Sequence, residues 1–199
     1  EYGAVELASR EVALIEPGEK PVKMVYLTPD NAVNWTLQYR FLWADSDSQR
    51  APGPLRDAIP DIIKAYQVSD LEQASQRLTD LPASIQGSAQ WRGLSGFLYL
   101  STGQHDQAQS LFRSAAAEDP GWGWPYAQLA FMSIIENQLE KAQTLINTGL
   151  AAEPGSAALY VVKAYYHKAS LELEKAAIAV RNTVELAPNF VSGLFAAAQ

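Results

Sequence analysis

Small and apolar residues recur along most of this chain with a single period. Ala108, Ala142 and Ala176 stand 34 residues apart, as do Gly96, Ala130 and Ala164. Phe112, Ile146 and Val180 keep the same spacing, and so do Pro120, Pro154 and Pro188. Four columns sharing one period across 89–188 identify tandem copies of one supersecondary unit. The ruler runs backward, since Ala74 precedes Ala108 and Leu78 precedes Phe112 by the same interval. It runs forward to Leu194, Ala197 and Ala198, in a unit that residues 191–199 only begin. Ahead of the repeats the pattern shortens. Ala4-Val5-Glu6-Leu7-Ala8 alternates apolar and polar, Val12–Ile15 is a short apolar run, and Lys23–Leu27 reads as a returning strand. Pro17-Gly18-Glu19-Lys20 supplies turn chemistry between them. Residues 4–27 are therefore expected to form strands.

With the proline set at position 32, the clear units are 89–122, 123–156 and 157–190, preceded by a degenerate unit at 57–88. The first carries Gly96, Tyr99, Gly103, Ala108, Phe112, Ala115 and Pro120; the second Tyr126, Leu129, Ala130, Asn137, Ala142, Ile146, Gly149 and Pro154; the third Tyr160, Ala164, Ala176, Val180 and Pro188. Period and residue types resemble the tetratricopeptide repeat (TPR), a helix–turn–helix unit. Arg92, Ser95, Ser133, Lys163, His167 and Leu171 depart from its pattern. The resemblance implies an all-α solenoid, a right-handed superhelix of helix pairs, here with a small β-containing N-terminal segment. Small residues at positions 8 and 20 fit a close helix crossing, so a larger side chain at Ala142 should cost about 1–3 kcal/mol. Gly103 and Asn137 suit helix ends that need left-handed φ, and the prolines end the second helix of each pair. In the degenerate unit Asp57 is expected to cap a helix through Gln67, with Pro60 in its first turn. Ser69 or Asp70 would cap the next helix, ending near Leu81.

Between strands and repeats, Thr28-Pro29-Asp30-Asn31 is a helix-start signal. Ala32, Val33, Trp35, Thr36, Leu37 and Tyr39 continue it as a largely apolar face. Asn34-Trp35-Thr36 matches a glycosylation sequon by chance, on a helix with an expected buried tryptophan. Asp30, Ala32, Val33, Trp35 and Tyr39 resemble the segment that follows FecR-like β-domains in bacterial envelope proteins, although Arg40 and Phe41 stand where that family commonly has prolines. The resemblance implies that 1–29 is the tail of a β-domain, that 30–56 is a helix and linker, and that the protein faces the periplasm or cell surface; the cytoplasm stays open. Residues 44–56 read as a solvated linker. Its Asp45 and Asp47 lack the central glycine and later glutamate of a calcium loop.

Composition narrows the function classes. Among 199 residues, 48% are hydrophobic and 19% charged, a globular balance. A net charge of -7 argues against nucleic acid and anionic membrane surfaces. The absence of cysteine excludes thiolate chemistry and disulfides, and no stretch approaches the roughly 18 apolar residues of a membrane span. The start at Glu1 and the stop at Gln199 within a repeat suggest a processed or excised chain that natively continues.

No catalytic, cofactor or metal constellation is legible. Gly93-Leu94-Ser95-Gly96 falls one residue short of a nucleophile elbow and lies mid-helix in the repeat register. His105 and His167 have no partner at ligand spacing, and no phosphate-cradling loop occurs. What remains is a surface. The TPR resemblance puts positions 2, 5, 9 and 12 on the concave groove. These are Arg56, Ile59, Ile63 and Tyr66; Gln90, Gly93, Phe97 and Leu100; Trp124, Ala127, Phe131 and Ile134; Ala158, Val161, Tyr165 and Lys168. The carboxylate-clamping lysine, arginine and asparagine set of chaperone-binding TPRs is missing. The groove is expected to take an apolar peptide or helix of a protein partner, and self-association of the chain stays open beside it. Alternatively the array is a spacer in a larger export or assembly protein. Its groove would then be filled by the Trp35–Tyr39 helix or by Phe41-Leu42-Trp43.

Overall fold

The computed structural model describes residues 3–7, 11–15, 25–26 and 43–187. The chain divides into two compact units, with 41–191 forming the larger. In the smaller, strands β1 (Gly3–Leu7), β2 (Glu11–Ile15) and β3 (Val25–Tyr26) pair antiparallel in that order. Gly3 faces Ile15, Leu7 faces Glu11, and Glu11 faces Tyr26. The expected turn at 17–20, the 30–39 helix with its sequon, Phe41-Leu42 and the last unit at 191–199 lie outside the described residues.

Among its described residues the larger unit holds helices and no strand. Helix α1 (Asp45–Arg50) precedes four helix pairs. These are α2 (Gly53–Gln67) with α3 (Leu71–Thr79), α4 (Ala89–Ser101) with α5 (His105–Glu118), α6 (Gly123–Ile135) with α7 (Leu139–Ala152), and α8 (Ala157–Ala169) with α9 (Leu173–Leu186). Each helix packs on its pair mate, and the second helix of each pair packs on the first helix of the next. A pair cannot bury its apolar face alone, and stacking joins the faces into one core.

The columns are that core. Ala108, Phe112, Ala130 and Ala142 are fully buried and Ile146 nearly so. At Gly96 a Cβ would lie 2.8 Å from Phe112 Cε1, so the small residue is sterically required. Gly103 (φ 78°) and Asn137 (φ 58°) take the left-handed conformation at the ends of α4 and α6. Ser69 (φ 63°) and Leu171 (φ 59°) share their column and conformation. Every pair thus turns at one backbone geometry, which the residue type announces at only two of the four sites.

Two expectations are corrected. Helix α2 begins at Gly53 rather than at Asp57, because Pro54 presets helical φ in the first turn; Pro60 is then interior. Asp70 does cap α3, accepting from the Gln73 amide at 2.9 Å. The stretch 44–56 is not a solvated linker. It contains α1, and Trp43, Asp47 and Ala51 are buried. The reason is a set of partners far along the chain.

Candidate functional site

Trp43 sits at the edge of two tryptophans. Trp122 and Trp124 stack with centroids 5.5 Å apart and planes 11° from parallel. Trp43 meets Trp122 at 5.5 Å and Trp124 at 5.2 Å, both edge-to-face, the geometry that ring quadrupoles favour. Trp122 and Trp124 are fully buried and Trp43 nearly so. Phe112 extends the cluster edge-on to Trp124 at 5.7 Å.

Polar groups lock this seat. The Trp122 indole N–H donates to Asp47 Oδ1 at 2.7 Å, and the Ala44 amide donates to Asp47 Oδ2 at 2.8 Å. The Trp43 indole N–H donates to Ser48 Oγ at 3.0 Å. Burial pushes the Asp47 carboxyl up to about 6. Its two donors and the Arg50 cation pull the other way, while Glu153 adds to the rise. Arg50 spans two repeats. Its guanidinium reaches Asp119 at 3.4 Å, the Gly121 carbonyl at 3.1 Å and Glu153 at 3.1 Å. Asp119 and Glu153 follow the C-terminal ends of α5 and α7, where a cation is also favoured by the helix dipoles. The second Glu153 oxygen accepts from the Gly123 amide at 2.8 Å.

The sixteen groove positions divide by burial, with Arg56 exposed. Ile59, Phe97, Trp124 and Phe131 are buried, as are Gln90, Gly93, Ala127 and Ala158. Ile63, Tyr66, Leu100, Ile134, Val161 and Tyr165 are half-buried, and Lys168 is exposed. Tyr66 meets Phe97 edge-on at 4.9 Å, and Phe131 meets Tyr165 at 5.7 Å. Position 9 is therefore aromatic in three successive repeats, with Ile63 before them. Trp124 at position 2 is covered by Trp43 of the same chain.

Sequence reasoning missed Trp122, Asp47 and Arg50. A signal existed for the first. Trp122 occupies position 34, where the neighbouring repeats carry Ser88 and Ser156. Gly93 gives the ring its room, since a Cβ there would lie 2.7 Å from Trp122 Cη2.

Ser95 lies buried within α4. His167 is buried, its Nδ1 2.7 Å from Glu172 Oε2, and Glu172 also accepts from Lys175 at 2.6 Å. Those two bonds hold the Glu172 carboxyl below its ordinary range. No group of three or more metal-capable side chains occurs among the described residues. Nor, among them, is any helix long and apolar enough to cross a membrane.

Residues 99–164 match the family model described as tetratricopeptide repeat. The array is a tetratricopeptide-repeat solenoid. No curated protein matches the chain. Among solved structures it is similar to the first TPR of Spaghetti (RPAP3) bound to the HSP90 peptide SRMEEVD, at 20% identity and TM-score 0.46, over 54% of this chain and 87% of that one. It is similar to MamA at 12% identity and TM-score 0.49, over 70% of this chain and 81% of that one. A MamA fragment from Desulfovibrio magneticus RS-1 (residue 41 to its end) gives 16% identity and TM-score 0.48, over 69% and 77%. The TPR solenoid is an architecture for protein–protein interaction.

Proposed function

We propose that the chain is a non-enzymatic scaffold that binds an apolar peptide or amphipathic helix of a protein partner along the concave TPR groove. The observation that carries this is the row of half-buried position-12 side chains Tyr66, Leu100 and Ile134, from three successive repeats, beside the position-9 row of Ile63, Phe97, Phe131 and Tyr165. Such a strip suits anchors spaced at i, i+3 and i+4 of a docked helix. On the likeness of residues 30–39 to the segment after FecR-like domains, the scaffold works in the periplasm or at the cell surface of a bacterium.

Selection of a phage-displayed peptide library on the purified chain tests the groove. Enriched peptides should carry helical apolar spacing. They should lose binding to a Leu100→Glu, Ile134→Glu double variant, and to Phe131→Ala with Tyr165→Ala, while circular dichroism stays that of the parent. A selection in which no enriched family loses binding to these variants would refute groove binding.

A second reading has an observation of its own. Trp43 already occupies the position-2 row and is locked there through Asp47 and Trp122. This favours a structural spacer whose groove is filled internally. A library that yields no groove-dependent binder on the chain, but yields one once Trp43→Ala has vacated the seat, supports that reading.

A further inference from the structure

Away from the groove rows, a cavity of about 330 Å³ opens to solvent where α5, α6 and α7 meet. Ala116, Ala117 and Leu129 give it an apolar lining, and Tyr126 forms part of its wall. Arg113 and Lys141, both exposed, stand on its border from two successive repeats. Among the described residues Arg113 forms no salt bridge, and the Lys141 ammonium donates only to the Gln138 side chain at 2.8 Å. Two cations without carboxylates beside an apolar hollow are unusual on a chain of net charge -7.

The repeat does not require this hollow. At the next junction, 34 residues on, Ala116 is replaced by Leu150 and Leu129 by Lys163. There the Lys163 ammonium lies 5.9 Å from the centroid of Tyr160, the counterpart of Tyr126. Only the earlier junction combines a small residue, an aliphatic floor and two border cations.

We propose that this notch is a second docking site, which takes one leucine- or phenylalanine-sized side chain flanked by aspartate or glutamate from an acidic segment of a protein partner. The open mouth suits a protruding side chain. The apolar lining supplies the burial, and the cations supply steering and register. A helix or loop presenting one apolar residue between carboxylates satisfies both at once.

The test uses the full chain and a phage-displayed random peptide library, with binders resynthesised for fluorescence anisotropy. Expected is a family in which a leucine or phenylalanine is flanked by acidic residues. Ala117→Leu fills the hollow, and Arg113→Glu with Lys141→Glu reverses the border charge; these three positions are exposed, so the fold tolerates both changes. Each variant should weaken that family's Kd about tenfold or more, with a salt dependence that the charge-reversed variant loses. The groove variant Leu100→Glu, Ile134→Glu should leave the family's affinity unchanged, so failure of groove binding and failure of this site are read separately. Absence of an acidic–apolar family, or a family whose affinity survives both notch variants, overturns the proposal. Self-association of the chain that the charge reversal abolishes would assign the notch to a second copy and overturn it equally.

Discussion

Asp47 is the buried carboxylate on which α1 hangs, and its titration should be visible in stability. Its folded-state pKa of about 6 lies above the ordinary unfolded value of about 4. Between those values the folded chain binds more proton than the unfolded chain. The site's contribution is therefore greatest at low pH and is lost as pH rises through about 6. Working above the pI of 4.8 keeps the chain soluble. From about pH 5.2 to about pH 7.5, a shift of this size removes about 1 kcal/mol. Other carboxylates titrate over the same interval, so the quantity to measure is a difference. Asp47→Asn is isosteric, keeps an acceptor for the Trp122 indole, and gives up one for the Ala44 amide. Its cost at that bond does not vary with pH. Arg50 stays charged throughout, and Glu153 is present in both proteins. Urea unfolding of parent and variant at the two pH values, followed by far-ultraviolet circular dichroism, gives the result. The parent should lead the variant by about 1 kcal/mol more at the lower pH. A lead that is the same at both, or larger at the higher pH, would show that the carboxyl is not desolvated as described.

Three further perturbations probe the same architecture. Leu171→Gly should raise stability by about 1 kcal/mol in thermal melts, because leucine is held at φ 59° with no side-chain burial to lose; a fall would mean that the exposed leucine is covered in solution. Gly93→Ala should cost about 1–3 kcal/mol by urea titration, since its methyl would press on the hydrogen-bonded Trp122 ring. Trp43→Ala should cost about 3–5 kcal/mol and shift the remaining tryptophan emission to the red as water reaches Trp122 and Trp124; an unmoved spectrum would place Trp43 outside the cluster.

The periodic part of the molecule was open to reading because burial repeats with the fold. Ala108, Ala142, Phe112 and Ile146 are core for one geometric reason, applied once per repeat. The turn column shows the limit of that reading. Gly103 and Asn137 advertise left-handed φ, whereas Ser69 and Leu171 adopt it because the pair must close there whatever the residue. The stretch Asp45-Ser46-Asp47-Ser48-Gln49-Arg50 reads as solvated because every one of its residue types is polar. Its decisive bond runs from Trp122, 75 residues away. No window short enough to judge a linker contains both ends.

The departures from the repeat carry the rest. Where residue type holds down a column, the structure repeats an interior contact. Where it breaks, the structure does something once. Trp122 breaks a serine column, and Gly93 clears the space it needs, so a seat for Trp43 exists in one repeat only. Ala116 and Leu129 give way to Leu150 and Lys163 one period later, and the apolar notch with its border cations belongs to a single junction. Asp119 and Glu153 form an acidic pair one period apart, and one arginine from α1 reaches both. In an array built from one rule, a partner or a strap that docks at a single junction is told where by a violation of it. The two places where this chain breaks its columns most sharply are the tryptophan seat and the notch, and they share α5 and α6 but no side chain.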